Sequence, residues 1–269
     1  MYFVDLAKNN MEKEATNHDN HQELFDKEWI KVQENPFIQS LQKDSFFSVL
    51  EDLPEYSESF GTEPRCLCCS DERVIVPGSR GQLKSAGQGI LYSDQDLEKF
   101  IANNKNSIDC VYSHDGCGAA NILYQSMLDK GVDLPEGVTN SDELGVWHTK
   151  NIAEKMGVNY GHISKKEMIN EVHNAVILLL KHDNFNPEIK INNFPPYFSS
   201  SLDLNTNLEY ILTEVKTLTG IALGDHGFGE RFTRNNPFNI VVVAKDQDEL
   251  AWAKDSLLEF VAESQGRVK

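Results

Sequence analysis

The chain has 269 residues, with 25 Lys and Arg against 42 Asp and Glu, a formal net charge of -17. That balance argues against nucleic acid, whose phosphates require a basic surface, and more weakly against an anionic membrane. The length allows a sizeable core without disulfide or metal staples, as one large domain or one domain with an appendage.

Five cysteines, three of them at Cys66, Cys68 and Cys69, do not make a secreted disulfide framework. No apolar run approaches the ~20 residues that span a bilayer. The opening Met1-Tyr2-Phe3-Val4-Asp5 lacks a basic segment followed by an apolar one, so no signal peptide is expected. A cytoplasmic protein is the expectation.

Residues 1–20 are polar and predicted to fray. From residue 21 to 53 the pattern is helical: Leu24, Phe25, Trp29 and Val32 share a face, and Pro36 breaks the run. Phe37, Leu41, Phe46, Phe47 and Leu50 suggest one or two further helices. This stretch is read as an N-terminal helical arm, 1–60, that packs on its own domain or covers a partner subunit. Residues 61–269 have an α/β texture. A strand is predicted at 65–69, then Val74-Ile75-Val76 and a glycine-rich loop. Ser93 is placed to cap a helix whose stripe is Leu97, Phe100 and Ile101.

A strand follows at 108–112, with Cys110 as a packing residue. A helix at 116–128 would bury Ala119, Ile122, Leu123 and Met127. The next helix starts near Ser141, with Leu144, Trp147, His148, Ile152 and Met156 in period and Gly157 to stop it. Ser164 and Glu167 suggest a capping box for a helix with Met168, Ile169, Val172, Val176 and Leu180 inward. The segment 182–207 reads as loop with an edge strand near Ile189. A strand at 239–244 and a helix with Leu250, Ala253, Leu257 and Val261 inward close the chain. The expected fold is α/β: a mostly parallel central sheet flanked by helices.

Two stretches carry chemistry. Cys69-x-Asp71-x-Arg73 and His114-x-x-Cys117 each follow a predicted strand, and α/β sheets gather ligands beyond the carboxyl ends of their strands. Alternate residues of an extended chain share a side, so Cys69, Asp71 and Arg73 can face one centre. His114 and Cys117 lie about one helical turn apart. A helix starting near Gly116 would put its positive end at Cys117 and favour its thiolate. Two thiolates and an imidazole suit zinc and leave a fourth position open. Asp71 would sit beside the metal, oriented by Arg73. The alternatives are a structural zinc closed by Cys66 or Cys68, a redox pair at Cys68 and Cys69, and an ordinary core.

The combined motif, with Gly118-Ala119 and the intervening Lys84-Ser85-Ala86-Gly87, resembles the β-class carbonic anhydrases and the related proteins induced by limiting carbon dioxide. The resemblance covers roughly 63–128. Glu72 stands where the family usually has Ser, and Ser113 replaces a Gly. It implies a Zn2+ cofactor on Cys69, His114 and Cys117, with Asp71 and Arg73 catalytic and Ala86, Gly87 and Gly118 near the substrate. It also implies reversible hydration of carbon dioxide to bicarbonate, and a homodimer or higher homo-oligomer. Hydrolysis of carbonyl sulfide or carbon disulfide, and a non-catalytic zinc protein for assembly or bicarbonate sensing, are the alternatives.

Outside this motif, Asp115 suits a helix N-cap, and His148 and His173 suit satisfied core or surface positions on helices. The stretch Gly224-Asp225-His226-Gly227-Phe228 is an ordinary turn or a loop entering the site, with His226 as proton shuttle or Phe228 as pocket wall.

Overall fold

The computed structural model of the chain describes residues 22–43, 57–61, 63–170, 172–182, 184–187, 194–202, 208–224, 227–244 and 246–269. The expectations for residues 1–20, for Phe46, Phe47 and Leu50, for the edge strand near Ile189, and for Asp225 and His226 lie outside these. The fold is α/β.

The arm contributes α1 (22–33) and α2 (Pro36–Lys43). Pro36 opens α2 as well as closing α1: the missing N–H costs nothing in a first turn, and Asn35 Oδ1 accepts from Phe37 N at 2.9 Å. The arm packs on its own chain. Phe25 and Trp29 meet Phe228 edge to face at 6.2 and 4.8 Å, and Trp29 also meets Phe232. Arg231 pairs with Asp26 beside them. Phe25, Val32, Phe37 and Leu41 join the same buried cluster as Cys69 and Cys117.

The first sheet holds β1 (Cys66–Cys68), β2 (Gln82–Lys84), β3 (Cys110–His114) and β4 (Asn159–Ile163), all parallel, in the order β2-β1-β3-β4. Alternation divides its faces. Leu67, Leu83 and Val111 pack on Ile101 of α3 (Asp94–Asn104) and on Ile152 of α5 (Ser141–Met156), with α4 (Gly118–Lys130) between those helices in chain order. Cys66 and Cys68 face the other way, with Val74 and Ile163.

The second sheet has the order β6-β5-β7, from β5 (Ile177–Lys181), β6 (Tyr197–Ser201) and β7 (Asn239–Val243), again parallel. β6 is followed by α6 (Leu208–Leu223) and β7 by α7 (Gln247–Glu263). The sheets meet where Ser199 N donates to Ser70 O at 3.3 Å and Lys181 Nζ donates to Gln82 O at 3.3 Å. The expected parallel sheet is thus present in two parts.

Several local expectations hold. Ser93 caps α3 by accepting from Asp96 N, and Gly157 ends α5 in the left-handed conformation. Others do not. Ser164 and Glu167 do bond, but they close a turn, and among the described residues no helix follows them. Val176 and Leu180 belong instead to the run through β5, which is buried on both faces. A central parallel strand needs no polar face, so its apolar run shows no alternation to distinguish it from a buried helix. Ile122 and Trp147, read as inward, are exposed. Cys110 is no simple packing residue, for it is bonded to Cys66 on the neighbouring strand. Strands β2, β4 and β6 and helix α6 were not anticipated.

β5 is the central strand of its sheet and is buried along its whole length. Leu179→Ala should lower unfolding free energy by about 2–5 kcal/mol, read as a fall in urea midpoint at unchanged m. A loss under about 1 kcal/mol would contradict this placement.

Candidate metal centre

β1 and β3 are hydrogen-bonded neighbours pointing the same way, so their carboxyl ends meet. Cys69 is the first residue beyond β1, His114 ends β3, and Cys117 is the N-cap of α4. Their donor atoms lie within 4.8 Å of one another, and all three residues are buried. The two Sγ atoms are 3.9 Å apart. Two sulfurs at ~2.3 Å from a tetrahedral zinc would be ~3.8 Å apart. His114 Nδ1 is 2.9 Å from Asp115 O, which leaves Nε2 buried with no partner. A backbone carbonyl on one ring nitrogen orients the other toward a metal. The three residues fit a metal ion, and the unpartnered Nε2 is the atom a metal would satisfy.

Cys66 and Cys68, considered as a fourth ligand, are held elsewhere. Cys66 is bonded to Cys110, and Cys68 Sγ lies 3.2 Å from Gln82 Oε1. The described residues therefore supply three donors in this group.

Asp71 and Arg73 stand beside the donors. Arg73 Nε donates to Asp71 Oδ1 at 3.0 Å and Nη2 to Oδ2 at 2.7 Å, and Arg73 N adds a bond at 2.9 Å. Asp71 Oδ2 is 3.8 Å from His114 Nδ1. Burial alone would raise the Asp71 pKa, but the Arg73 bonds, helped by His173 and His114, hold it well below the usual carboxylate range. Lys84 fixes the same turn, its Nζ donating to Asp71 O at 3.2 Å and Val74 O at 2.9 Å.

The segment after Lys84 closes the centre from the β2 side. Gly87 N donates to Cys69 Sγ at 3.3 Å. Gly87 has φ +54°, and a Cβ there would come within 2.7 Å of Ile90 Cγ2 and 3.4 Å of Cys117 Sγ. Only glycine fits that approach. Gln88 follows with φ +55°, a strained value for a residue with a side chain. Thr149 Oγ1 donates to its Oε1 and His148 Nε2 faces its carbonyl oxygen, which secures the turn. Burial depresses the His148 pKa to about 4, as for a neutral core histidine. Gly118 meets Ile221 of α6, 3.1 Å from where a Cβ would stand, a packing contact.

Three groups escaped sequence reasoning. Glu214 of α6 is buried, and its Oε1 accepts from Ala86 N at 2.8 Å, Ser85 Oγ at 2.9 Å and Tyr92 Oη at 3.2 Å, which anchors the Ala86-Gly87 turn. The buried positions Ile211, Val215, Leu218 and Ala222 repeat at helical spacing, a signal that could have revealed α6. Glu72 accepts from Asn174 N at 2.7 Å and lies 3.1 Å from His173 Nδ1. His173 is not on a helix but stands 3.8 Å from Asp71 Oδ1. Burial would lower its pKa, yet the Glu72 carboxylate raises it. Asp71, Glu72 and His173 thus form a second grouping of possible ligand atoms. Asp115 does not cap α4. It accepts from Lys165 N at 2.9 Å and faces His162 Nε2 at 3.0 Å. Phe228 sits in the arm's aromatic cluster.

No family model, curated protein or solved structure matches the chain.

Without metal, the donors share protons. A bond from Cys117 pushes the Cys69 thiol well below its ordinary value, while Cys117, donating to it, is pushed well above. Burial lowers the His114 pKa, but the Cys69 thiolate outweighs this and raises it to about 9. At pH 7, metal binding must therefore expel about two protons, from His114 and Cys117. Zinc affinity should rise steeply, by about a hundredfold per pH unit, and less steeply once pH passes the His114 value. Competition with a chromophoric chelator at several pH values checks this. A flat profile would contradict it.

Proposed function

We propose that the chain is a zinc-dependent lyase of carbonic anhydrase type that hydrates carbon dioxide reversibly to bicarbonate. The carrying observation is the convergence of Cys69, His114 and Cys117 on one point, with the Asp71-Arg73 pair beside them. Bound zinc would supply an acidified water as the nucleophile.

The protein's own residues have distinct tasks. Cys69, His114 and Cys117 would hold the ion, and their thiolate charges would make it a weaker acid than a site of three neutral histidines. Asp71, kept ionised by Arg73, would accept a hydrogen bond from the nucleophile and aim its lone pair. It can do so only because the guanidinium fixes its direction through two side-chain bonds. Gly87 N–H stabilises the Cys69 thiolate. Glu214 positions that N–H by fixing the preceding peptide. Self-association belongs to the same proposal.

Stopped-flow hydration of carbon dioxide, with zinc measured in the same samples, tests the reading. Asp71→Asn should keep its zinc and lose turnover by about 10²-fold or more. Cys117→Ser should lose zinc and turnover together. Sulfide release from carbonyl sulfide without carbon dioxide hydration would favour the neighbouring reaction. Zinc retention with neither turnover would favour a non-catalytic role. Equal rates in all three proteins, independent of zinc, would refute catalysis at this centre.

A further inference from the structure

The strands that deliver the metal donors begin at a second chemical feature. Cys66 and Cys110 are register partners on β1 and β3, with Cα atoms 4.8 Å apart, and are joined as a disulfide. Both line a surface cavity of about 340 Å³, together with Arg65, Arg80, Asp109 and Tyr112. This cavity lies at the amino ends of the strands, whereas the metal donors lie at and beyond the carboxyl ends. The two sites are therefore separate.

Three observations define what the cavity can take. Its volume falls in the lower part of the range of small-molecule sites. Its lining carries two guanidinium groups and one carboxylate on a chain of net charge -17. Arg65 Nη2 and Asp109 Oδ2 pair at 2.6 Å, both exposed, so the lining has a net positive charge. Finally, Cys66 is buried and Cys110 is half-buried, so Cys110 is the half of the pair nearer solvent.

We propose that this cavity is a thiol–disulfide exchange site for a small thiol that carries carboxylates. Arg65 and Arg80 receive the carboxylates and place the sulfur over Cys110. The thiolate attacks Cys110 Sγ, forming a mixed disulfide as the Cys66–Cys110 bond breaks. The electron pair leaves on Cys66, whose thiolate takes a proton from water. A second thiolate attacks the small molecule's sulfur in the mixed disulfide, releasing the symmetrical small disulfide and the Cys110 thiolate, which is protonated in turn. Two small thiols are oxidised and one protein disulfide is reduced. Excess small disulfide drives the same steps in reverse. The bond that opens and closes is the one that ties together the starts of the two donor-bearing strands.

The test uses the full chain and three probes at matched thiolate concentration: glutathione, which is anionic, mercaptoethanol, which is neutral, and cysteamine, which is cationic. Reduction at 66 and 110 is followed by alkylation and mass spectrometry. Glutathione should react faster than mercaptoethanol by on the order of fivefold, the worth of one opposite charge about 4 Å away in water, and cysteamine should be slower than both. Early quenched samples should carry the adduct on Cys110. Arg80→Ala should remove most of the charge preference while leaving the disulfide in place. Cys110→Ser should give no adduct, and folding of that variant is not needed for the Arg80 comparison. Charge-independent rates, or no adduct on the folded chain, would overturn the proposal. So would a purified chain whose two thiols glutathione disulfide cannot bridge.

Discussion

The parallel pairing of β1 with β3 is the constraint on which the candidate centre depends. Cys69 and His114 are far apart in sequence, and only a shared strand direction puts both beyond the same sheet edge. The pairing is short, with Cys66 opposite Cys110 and Leu67 opposite Val111. Its register is fixed by burial, because a one-residue slip would turn Leu67 and Val111 away from Ile101 and Ile152. The same slip would move Cys69 off the line that now meets Cys117. Packing on one face of the sheet thus sets the chemistry at its end.

A buried polar network surrounds that end. Asp71, Glu72, Arg73 and Lys84 are all buried, and each is bonded to a charged partner or to backbone. Burying such groups costs free energy that hydrophobic side chains of like size would not incur. What the network provides is direction. Arg73 fixes Asp71, Lys84 fixes the turn that carries it, and Glu72 docks the 173–175 segment against it. Glu214, from a distant helix, does the same for the peptide that reaches Cys69. The two parallel sheets are joined at this same corner, through Ser199 and Ser70. The geometry of the candidate centre and sheet-to-sheet packing therefore share residues.

Much of the centre was legible in the sequence, because its parts follow short-range rules. An apolar run before each motif marked a strand end, and the Ser93 cap and the Gly157 stop were legible for the same reason. Asp71 and Arg73, however, come together through a turn, in which Val74 N donates to Asp71 O and Arg73 N to Asp71 Oδ1, and not through strand alternation. Cys117 nears His114 as the cap of α4 after a turn at 115–116, and not through helical spacing. What escaped was set by tertiary context. The run 177–180 has no polar face, so its period cannot separate strand from helix. β2 is three residues long and lies among glycines. His173 and Glu214 act through contacts more than a hundred positions away in the chain, which no local pattern encodes. The Cys66–Cys110 bond joins residues whose facing positions follow only from the register of β1 and β3.

The most direct test of the account is X-ray absorption at the zinc edge on the zinc-loaded full chain, with metal content measured on the same sample. One zinc per chain is expected, with two sulfur neighbours at about 2.3 Å, one imidazole nitrogen at about 2.0 Å and one further light atom. A third sulfur in the shell, or a chain that binds no zinc, would contradict a three-donor centre with an open position.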